Sequence, residues 1–353
     1  MQVLKSIHVM ELPREVIVGT DAIHHVPEAC REIARGNILV VSGPHTIEIA
    51  GKRVANLIKS SLNGRVYTEI VQSSTIEEVK RVVEVMKRKN IKLALAVGGG
   101  KVIDVVKLAS TKSGIDFISV PTSASNDGIA SPFASILKDG RRRSFKAQMP
   151  YAVIADVSII SKAPYRLFAS GCADVISNYT AVRDWKLAYM LRNEYYGEYA
   201  AMLAELSAEI VMRNAELLRQ YNELSIRTLL EALISSGVSM GIAGSSRPAS
   251  GSEHLFAKAL EMMTDKGLHG ELCGLGTIMM ACLHNADWKR VKRALATIGC
   301  PTVCTELGIP PEYVIKALTI CHKIRPNRYT ILGEKGLTWE AAERLAKMTG
   351  VIP

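Results

Sequence analysis

The sequence predicts an α/β domain, built on a parallel β-sheet covered by helices, followed by an all-α domain. Between Asn37 and Val120, short apolar runs rich in β-branched residues alternate with amphipathic helical segments. This alternation is typical of a parallel sheet with helical crossover connections. From Pro164 onward, nearly all apolar patterns have the helical period instead. We therefore predict two domains, residues 1–160 and residues 161–353, a number that the chain length also suggests.

The first domain contains four runs of strand length, at residues 38–43, 65–71, 93–98 and 116–122. Thr75 and Glu78 have the spacing of a capping box and predict the start of a helix between the second and third runs. Asp139 and Gly140 lie between two further strand-like runs and predict a tight β-hairpin. The three arginines at positions 141–143 are expected to form a solvated face beside this turn.

The composition excludes several classes of function. The formal net charge is +10, but the positive residues are dispersed along helices and aromatic residues make up only 5% of the chain. Nucleic-acid binding is therefore not expected, and an anionic small molecule is the better partner. The seven cysteines are an odd number without a C-x-x-C motif, so we interpret them as reduced structural thiols.

Targeting signals are not evident. The amino-terminal stretch MQVLKSIHVMELPREVIVG carries charges where a signal peptide needs an apolar core, and no window approaches an uninterrupted membrane span. We expect a cytoplasmic protein without integral membrane contact.

Three consecutive glycines, Gly98, Gly99 and Gly100, separate the third apolar run from a helical pattern. In open parallel sheets, ligands bind at the carboxyl ends of the strands. Glycines at such an end can adopt positive φ and let backbone N–H groups approach a pyrophosphate, toward which the next helix directs its positive end. The pattern is not G-x-G-x-x-G, because Ile103 stands where the third glycine is needed. A tight turn without a ligand is the alternative.

Charged and polar residues accompany this turn. Asp104 and Lys107 lie one turn apart on an otherwise apolar helix, so they either pair with each other or serve a site. The loop PTSASNDG at residues 121–128 supplies many small donors and acceptors at the end of the next strand, which suits a cofactor and a substrate. An ordinary turn cluster explains the same residues.

Two histidines and one aspartate form a candidate metal site. Ser250 and Glu253 have capping-box spacing and predict that His254 lies in the first turn of a helix, whereas His269 lies in a glycine-rich segment before another apolar helix. Asp174 lies in an apolar helical stretch, where a carboxylate is expected to have a charged partner or to bind a metal. Such a set suits Zn²⁺ with an open position, or Fe²⁺. Histidines that merely stabilise helix ends are the alternative.

Taken in order, six stretches resemble the family of metal-dependent polyol dehydrogenases that includes glycerol dehydrogenase, the iron-containing alcohol dehydrogenases and 3-dehydroquinate synthase. They are GGGKVIDVVK, PTSASNDGIASPFASI, ADVISNYTAVRDWKLA, SSRPASGSEHLF, HGELCGLGT and RPNRYTIL. Within this group the chain is most similar to the archaeal sn-glycerol-1-phosphate dehydrogenases. The resemblance covers nearly the whole chain and implies a Rossmann-like amino-terminal domain, a helical carboxyl-terminal domain and an active site in the cleft.

The resemblance also implies roles for individual residues. Asp174, His254 and His269 would bind Zn²⁺ and take part in catalysis, and Asp127 would hold the substrate, together with Asp174. NADPH or NADH would contact both polar loops and the residues between them, namely Gly98, Gly99, Gly100, Lys101, Val102, Ile103, Asp104, Thr122, Ser123, Ala124, Ser125 and Ser131. The implied reaction reduces dihydroxyacetone phosphate to sn-glycerol 1-phosphate for ether-lipid synthesis.

The chain departs from its relatives at several positions. Asn178 replaces a further histidine of the iron alcohol dehydrogenases, and Asp174 stands where dehydroquinate synthases have glutamate. Lys258 replaces a second histidine of many relatives, so we expect Lys258 or Arg247 to contact the substrate phosphate. The segment SGPHT after the first run has no acidic residue to reject a 2′-phosphate, which permits NADPH without requiring it.

Three other functions remain open from the sequence. They are an NAD-linked glycerol dehydrogenase, a lyase similar to 3-dehydroquinate synthase, and an anion-binding protein without catalysis. The long apolar helices of the second half suggest a homo-oligomer, although core packing explains them equally well.

Overall fold

The computed structural model describes residues 7–34, 36–62 and 64–353. The first six residues of the amino-terminal stretch considered above therefore lie outside the described residues. The contacts divide the chain into two units. The sheet unit comprises Glu11–Pro164 and Tyr221–Gly241, and the helical unit comprises residues 7–10, Tyr165–Gln220 and Ile242–Pro353.

The strands are β1 (Glu15–Gly19), β2 (Asn37–Ser42), β3 (Val66–Ile70), β4 (Ile91–Gly98), β5 (Asp116–Pro121), β6 (Phe133–Lys138), β7 (Arg141–Lys146) and β8 (Ala152–Asp156). The α-helices are α1 (Val26–Ile33), α2 (Lys52–Ser61), α3 (Ile76–Arg88), α4 (Gly100–Ser113), α5 (Val157–Ile160), α6 (Tyr165–Arg192), α7 (Glu198–Arg213), α8 (Ala215–Arg219), α9 (Glu223–Ala243), α10 (Ser252–Glu261), α11 (His269–Leu283), α12 (Trp288–Ile298), α13 (Pro311–Ile320) and α14 (Trp339–Met348).

A six-stranded sheet in the order β1-β8-β5-β4-β2-β3 forms the centre of the sheet unit, and all its pairings are parallel. Side chains alternate between the two faces of each strand. Val40 of β2 and Leu95 of β4 pack with α1 and α2, whereas the fully buried Leu39 and Ala96 belong to the opposite face, where α3 and α4 contact β4. The predicted parallel sheet with helical crossovers is confirmed.

The order in which strands are added to the sheet reverses between β2 and β4. After β2 the chain moves outward to β3, whereas after β4 it moves to β5 on the other side. Such a switch point is where open α/β sheets bind ligands. The two carboxyl ends touch, because the Thr46 hydroxyl lies 3.1 Å from the Val97 carbonyl oxygen and donates to it. The fold therefore places the glycine turn beside a site of the expected kind.

The predicted hairpin turn is present, and the predicted capping box at the start of α3 is formed only in part. Asp139 and Gly140 have φ values of 52° and 70°, the conformation of a type I′ turn between β6 and β7. At the start of α3, the Thr75 side chain accepts a hydrogen bond from the Glu78 amide at 3.3 Å. The Glu78 carboxylate bonds the Gln72 amide at 3.0 Å instead of returning to Thr75.

The segment Tyr221–Gly241 in the second half of the sequence belongs to the sheet unit. Helix α9 within it is long and apolar enough to cross a membrane, but 72% of its apolar window is buried in protein. This burial is typical of the core helix of a soluble protein. The division into residues 1–160 and 161–353 remains a prediction about independently folding domains, and the contact-based units differ from it mainly in this segment.

Candidate active site

Three helices of the helical unit bring one carboxylate and two imidazoles together. Asp174 lies in α6 and is only 4% exposed. His254 Nε2 lies 3.7 Å from Asp174 Oδ1, and His269 Nε2 lies 4.0 Å from the same oxygen. Ligands about 2.0–2.2 Å from a tetrahedral zinc ion are themselves about 3.3–3.6 Å apart. The three atoms thus lie close to the spacing that one bound ion would require.

Each histidine also contacts a second carboxylate through its other nitrogen. His254 Nδ1 lies 2.9 Å from Glu253 Oε1, and His269 Nδ1 lies 2.8 Å from Glu261 Oε1. A proton on Nδ1 that is donated to a carboxylate leaves the Nε2 lone pair free for a metal, which is the usual arrangement around ligating histidines. The donor set, its spacing and these supporting carboxylates all fit a divalent transition-metal ion.

The predicted capping box at Ser250 and Glu253 is wrong. Helix α10 begins at Ser252 after Gly251, and Ser250 does not cap it. The Glu253 carboxylate accepts a hydrogen bond from the Gly251 amide at 2.6 Å while it holds His254. His254 still lies in the first turn, as predicted, and His269 is the first residue of α11 rather than part of a preceding loop.

Burial controls the protonation of this cluster. Desolvation, with the nearby His269, lowers the pKa of His254 to about 3. Desolvation, with the nearby Asp184 carboxylate, raises the pKa of Glu253 to about 7. Burial also lowers the pKa of His269, but Cys273 and Glu261 together raise it well above the usual value. A neutral His254 is the form that a metal needs.

Cys273 is a fourth group beside the set, and the sequence reasoning missed it. One donor atom each of Cys273, Asp174, His254 and His269 lie within 4.8 Å of one another, and Cys273 Sγ is 3.6 Å from His269 Nε2. The available signal was its position one helical turn after His269. Burial raises the pKa of the Cys273 thiol to about 12, so without a metal this residue is a neutral thiol.

Asp184 is a second residue that the sequence reasoning did not single out. It is fully buried in α6, and its carboxylate accepts hydrogen bonds from the Ser252 amide at 2.6 Å and the Ile331 amide at 2.7 Å. The His284 ring lies 3.0 Å from the same carboxylate. Asp184 therefore ties the start of α10 and the end of α11, which carry the histidines, to the segment around residue 331.

The glycine turn lies in the sheet unit, between β4 and α4. Gly98 pairs in register with Pro121 of β5, and the Thr122 amide donates to the Gly98 carbonyl at 3.1 Å. The two predicted cofactor loops are thus neighbours at one sheet edge. None of the three glycines uses the positive φ that this residue type allows, and Gly99 has φ −80°.

Close packing within the protein accounts for two of these glycines. A Cβ atom on Gly98 would lie 2.7 Å from a Val102 methyl group, and one on Gly100 would lie 2.7 Å from Asn126 Nδ2. A Cβ on Gly99 would meet only Ser123 Oγ, at 3.3 Å. Side chains are therefore excluded at positions 98 and 100 by packing within the protein itself.

The loop after β5 holds Asp127 in a defined position. Ser236 of α9 donates its hydroxyl proton to Asp127 Oδ2 at 2.8 Å, and Asn126 caps the short turn that begins at Asp127. Fully buried Lys107 donates from Nζ to the Gly128 and Phe133 carbonyls, each at 2.8 Å. Lys107 thus fixes the loop. Its Nζ also lies 3.8 Å from Asp104 Oδ1, so the pairing that the sequence offered as one alternative is formed.

The remaining predicted cofactor residues differ in exposure. Lys101 is exposed, and Asp104 and Ser125 are partly exposed. Ser131 is 2% exposed and lies 3.4 Å from Lys107 Nζ, so its hydroxyl is engaged within the protein. The others have buried side chains, namely Val102, Ile103, Thr122, Ser123 and Ala124. All these contacts remain predictions.

The two cations expected to contact a phosphate have different environments. Arg247 is 3% exposed and forms a bidentate ion pair with Glu194, with Nε 2.7 Å from Oε1. Lys258 lies one turn after His254 on α10 and forms no ion pair among the described residues. Burial and the neighbouring charges of Arg325 and Arg328 lower the pKa of Lys258 to about 7.

Comparison with known proteins identifies relatives across the full chain. The chain is 55% identical over 350 residues to glycerol-1-phosphate dehydrogenase (NAD(P)+) of Thermococcus kodakarensis, with 99% of both chains covered. It is 50% identical to the protein of the same name from Methanothermobacter thermautotrophicus, with 97% of this chain and 99% of the relative covered. The chain belongs to the glycerol-1-phosphate dehydrogenase family. The resemblance inferred from the six stretches is thereby confirmed.

Wider comparisons agree with the fold of this family. A family model described as iron-containing alcohol dehydrogenase matches residues 17–164. Glycerol dehydrogenase of Schizosaccharomyces pombe superposes with a TM-score of 0.81 at 16% identity, over 97% of this chain and 90% of that one. Sulfoacetaldehyde reductase of Bifidobacterium kashiwanohense, solved with NAD⁺, gives a TM-score of 0.77 at 16% identity, over 97% and 98%. The two-part fold of the glycerol-1-phosphate dehydrogenases is thus shared with other dehydrogenases.

Proposed function

We propose that this chain reduces dihydroxyacetone phosphate to sn-glycerol 1-phosphate with NADPH or NADH and a Zn²⁺ ion. Relatives that are 50–55% identical over nearly the whole chain carry the name glycerol-1-phosphate dehydrogenase (NAD(P)+). The observation that carries the proposal in the structure is the set of Asp174, His254 and His269, with Nε2 atoms 3.7 and 4.0 Å from one carboxylate oxygen.

In this proposal Asp174, His254 and His269 hold the metal, and Glu253 and Glu261 keep both imidazoles oriented through Nδ1. Bound zinc would supply Lewis-acid chemistry that polarises the substrate carbonyl. Asp174 supplies one negative charge and the neutral histidines supply none, so a bound Zn²⁺ ion would keep a net positive charge. Such a site would favour a substrate that develops negative charge on oxygen. Zinc is preferred over iron because Asn178 stands where iron alcohol dehydrogenases have a histidine.

The sheet unit would bind the dinucleotide at the glycine turn, with the pyrophosphate at the amino end of α4. The reduced nicotinamide would supply the hydride. The segment after β2 offers no carboxylate that would repel a 2′-phosphate, so both cofactors are accepted. Asp127, fixed by Ser236, would accept a hydrogen bond from a substrate hydroxyl, and solvent would supply the proton that completes the product.

The proposal extends to the setting of the enzyme. We place it in the cytoplasm as a homo-oligomer, without nucleic acid or integral membrane contact. Several large apolar side chains on α6 and α7 are exposed and favour contact with another copy, namely Tyr189, Met190, Leu191, Tyr199, Met202 and Leu206.

The deciding experiment measures loss of NADPH and NADH absorbance on addition of dihydroxyacetone phosphate. Dihydroxyacetone is the control substrate, and a chelator-treated sample accompanies each assay. We expect rapid, chelator-sensitive turnover of the phosphorylated ketone, and chiral analysis of the product should give sn-glycerol 1-phosphate. Turnover of dihydroxyacetone alone would make the chain a glycerol dehydrogenase, and turnover of neither would contradict the proposal and favour the lyase.

A further inference from the structure

Three cations in the helical unit form no ion pair among the residues that the structure describes. Arg325 and Arg328 lie in the segment between α13 and α14, and both guanidinium groups reach the hydroxyl of Ser246, at 3.4 and 2.8 Å. Neither arginine forms an ion pair within the part of the chain that the structure describes, and the same holds for Lys258. Partly buried charges normally have partners, so three such cations together require an explanation.

Arg325 and Arg328 border an open cavity of about 480 Å³. Its wall includes Arg247, Arg325 and Arg328, together with Ser245 and Glu194. Glu194 is the acidic member of this wall, and its carboxylate is held by the Arg247 guanidinium in a bidentate pair. The Arg247–Glu194 pair cancels its own charge, which leaves the two arginines as the excess charge of the cavity wall.

Arg328 and Arg325 differ in how firmly they are held. Arg328 donates to the Ser246 hydroxyl and to the Ser250 carbonyl, so its guanidinium is fixed in place. Arg325 makes a single long contact of 3.4 Å and is only half-buried. A guanidinium carries five N–H donors, so both residues retain donors for a ligand.

The cluster is adjacent to the candidate metal set within the same unit. Lys258 follows His254 by one turn of α10. Arg328 also contacts the Ser250 carbonyl, just before the helix that carries His254. The cationic cluster therefore lies beside the segment that carries His254, one of the candidate metal ligands.

We propose that Arg325, Arg328 and Lys258 form the binding site for a phosphomonoester dianion, with Arg325 as the residue that closes on it. Arginine forks match phosphate oxygens in a bidentate manner, and the lysine adds a point charge. The inference rests on the proposed function, since the dianion is the phosphate end of the substrate. It moves the expected phosphate contact away from Arg247, which is already neutralised by Glu194.

The test compares Arg325→Gln with Arg325→Lys and with the control Arg213→Gln. Arg213 is an exposed arginine of the same unit, paired with Glu209, so its substitution removes the same charge elsewhere. We expect Arg325→Gln to raise KM for dihydroxyacetone phosphate about tenfold to a hundredfold, with Arg325→Lys in between and the control unchanged. Turnover of dihydroxyacetone and zinc content should remain as in the parent protein.

Calorimetric titration with inorganic phosphate tests the site without catalysis. The parent protein should bind phosphate, and Arg325→Gln and Lys258→Met should each weaken binding about tenfold or more, with Arg213→Gln unaffected. If the enzyme reduces dihydroxyacetone phosphate and Arg325→Gln leaves both KM and phosphate affinity unchanged, the inference is overturned while the proposed function stands. If phosphate binds as expected but no ketone is reduced, the proposed function fails and the anion site stands.

Discussion

The glycine turn of the sheet unit and the metal-ligand set of the helical unit are assembled in opposite ways. The turn is continuous in sequence, and the groups that crowd Gly98 and Gly100 come from Val102 and from the adjacent loop. The ligand set joins Asp174, His254 and His269 from three separate helices. A continuous motif is easily found in a sequence, but several physical causes can account for it. A set of residues dispersed along the chain is hard to find in the sequence, but its geometry, once known, has few explanations.

The largest effect is expected from the dispersed set. His254→Ala should remove bound zinc and lower kcat/KM at least about a thousandfold, because the substrate carbonyl loses its electrophile. Metal analysis and activity should fall together while the circular dichroism spectrum stays unchanged. The control His25→Ala removes an exposed histidine of the other unit and should change neither quantity. Full activity without zinc would remove the metal from the mechanism.

Cys273→Ala sharpens the same comparison within the set. Because Asp174 and two histidines already satisfy a catalytic zinc site, we expect the variant to keep its metal, with affinity reduced by less than about tenfold. Zinc loss as severe as in His254→Ala would instead make Cys273 a fourth ligand. Equilibrium dialysis against a competing chelator measures the difference.

Asp184→Asn should have the next largest effect. Its carboxylate accepts from two backbone amides, and an amide side chain would direct N–H groups at one of these donors. We expect the free energy of unfolding to fall by about 2–4 kcal/mol. Urea titration measures this loss, and Asp287→Asn, at the exposed start of α12, serves as a matched control. An unchanged midpoint would show that Asp184 does not hold the three segments together.

The glycine turn should respond in a graded way. Gly100→Ala forces a Cβ to within 2.7 Å of Asn126 Nδ2 and should cost about 1–3 kcal/mol, together with weaker cofactor binding. Gly99→Ala meets only a hydroxyl at 3.3 Å and should be milder, and Gly19→Ala, with no atom within 4 Å, should be neutral. Thermal unfolding and cofactor titration measure the relative size of the three effects. Equal effects at all three positions would contradict the packing argument.

The smallest effect concerns Lys258 and pH. Its pKa is lowered from 10.5 to about 7 by burial, Arg325 and Arg328, against the opposing influence of Glu261 and Cys273. Between these values the unfolded state binds the extra proton, so the parent protein gains stability as the pH rises. Lys258→Met should therefore be more stable by about 1–2 kcal/mol at pH 7, a difference that vanishes near pH 10.5. A constant difference across this range would exclude the lowered pKa.

Sequence periodicity predicted the parallel sheet, the hairpin at Asp139 and the helical second half, because these depend on neighbours in sequence. The loops at Gly98 and Thr122 were predicted to share an edge for the same reason, since parallel strands end together. The pairing of Lys107 with Asp104 was one of the two alternatives that the sequence offered. Its hydrogen bonds to carbonyl groups of a later loop could not be predicted, because these groups are distant in sequence. Whether the glycines adopt positive φ or only make room for neighbouring atoms could not be predicted, because sequence does not distinguish a turn conformation from a close contact.

In the candidate site, Asp174 stood out because a carboxylate in an apolar helix needs a partner. The two histidines stood out because one was expected at a helix start and the other in a glycine-rich segment, and the resemblance then supported the set. Cys273 and Asp184 were not singled out, since a cysteine or an acid in a helix is usually structural and only the assembled packing reveals its neighbours. The environment of Arg247 could not be predicted for the same reason, because the Glu194 carboxylate that neutralises it comes from a distant segment of the chain.

Helix α9 has a consequence for the order in which the protein is made. Ser236 holds Asp127, Gly237 packs against the backbone of the loop at Ala130, and the Gly241 carbonyl accepts from the Glu11 amide. These contacts complete a unit whose sheet is finished by residue 156. During translation, residues 11–164 of the sheet unit cannot complete their packing until residue 241 has left the ribosome. The nascent sheet therefore exposes an apolar surface for the time needed to synthesise the intervening helices, and this interval is when it is most exposed to chaperones and proteases.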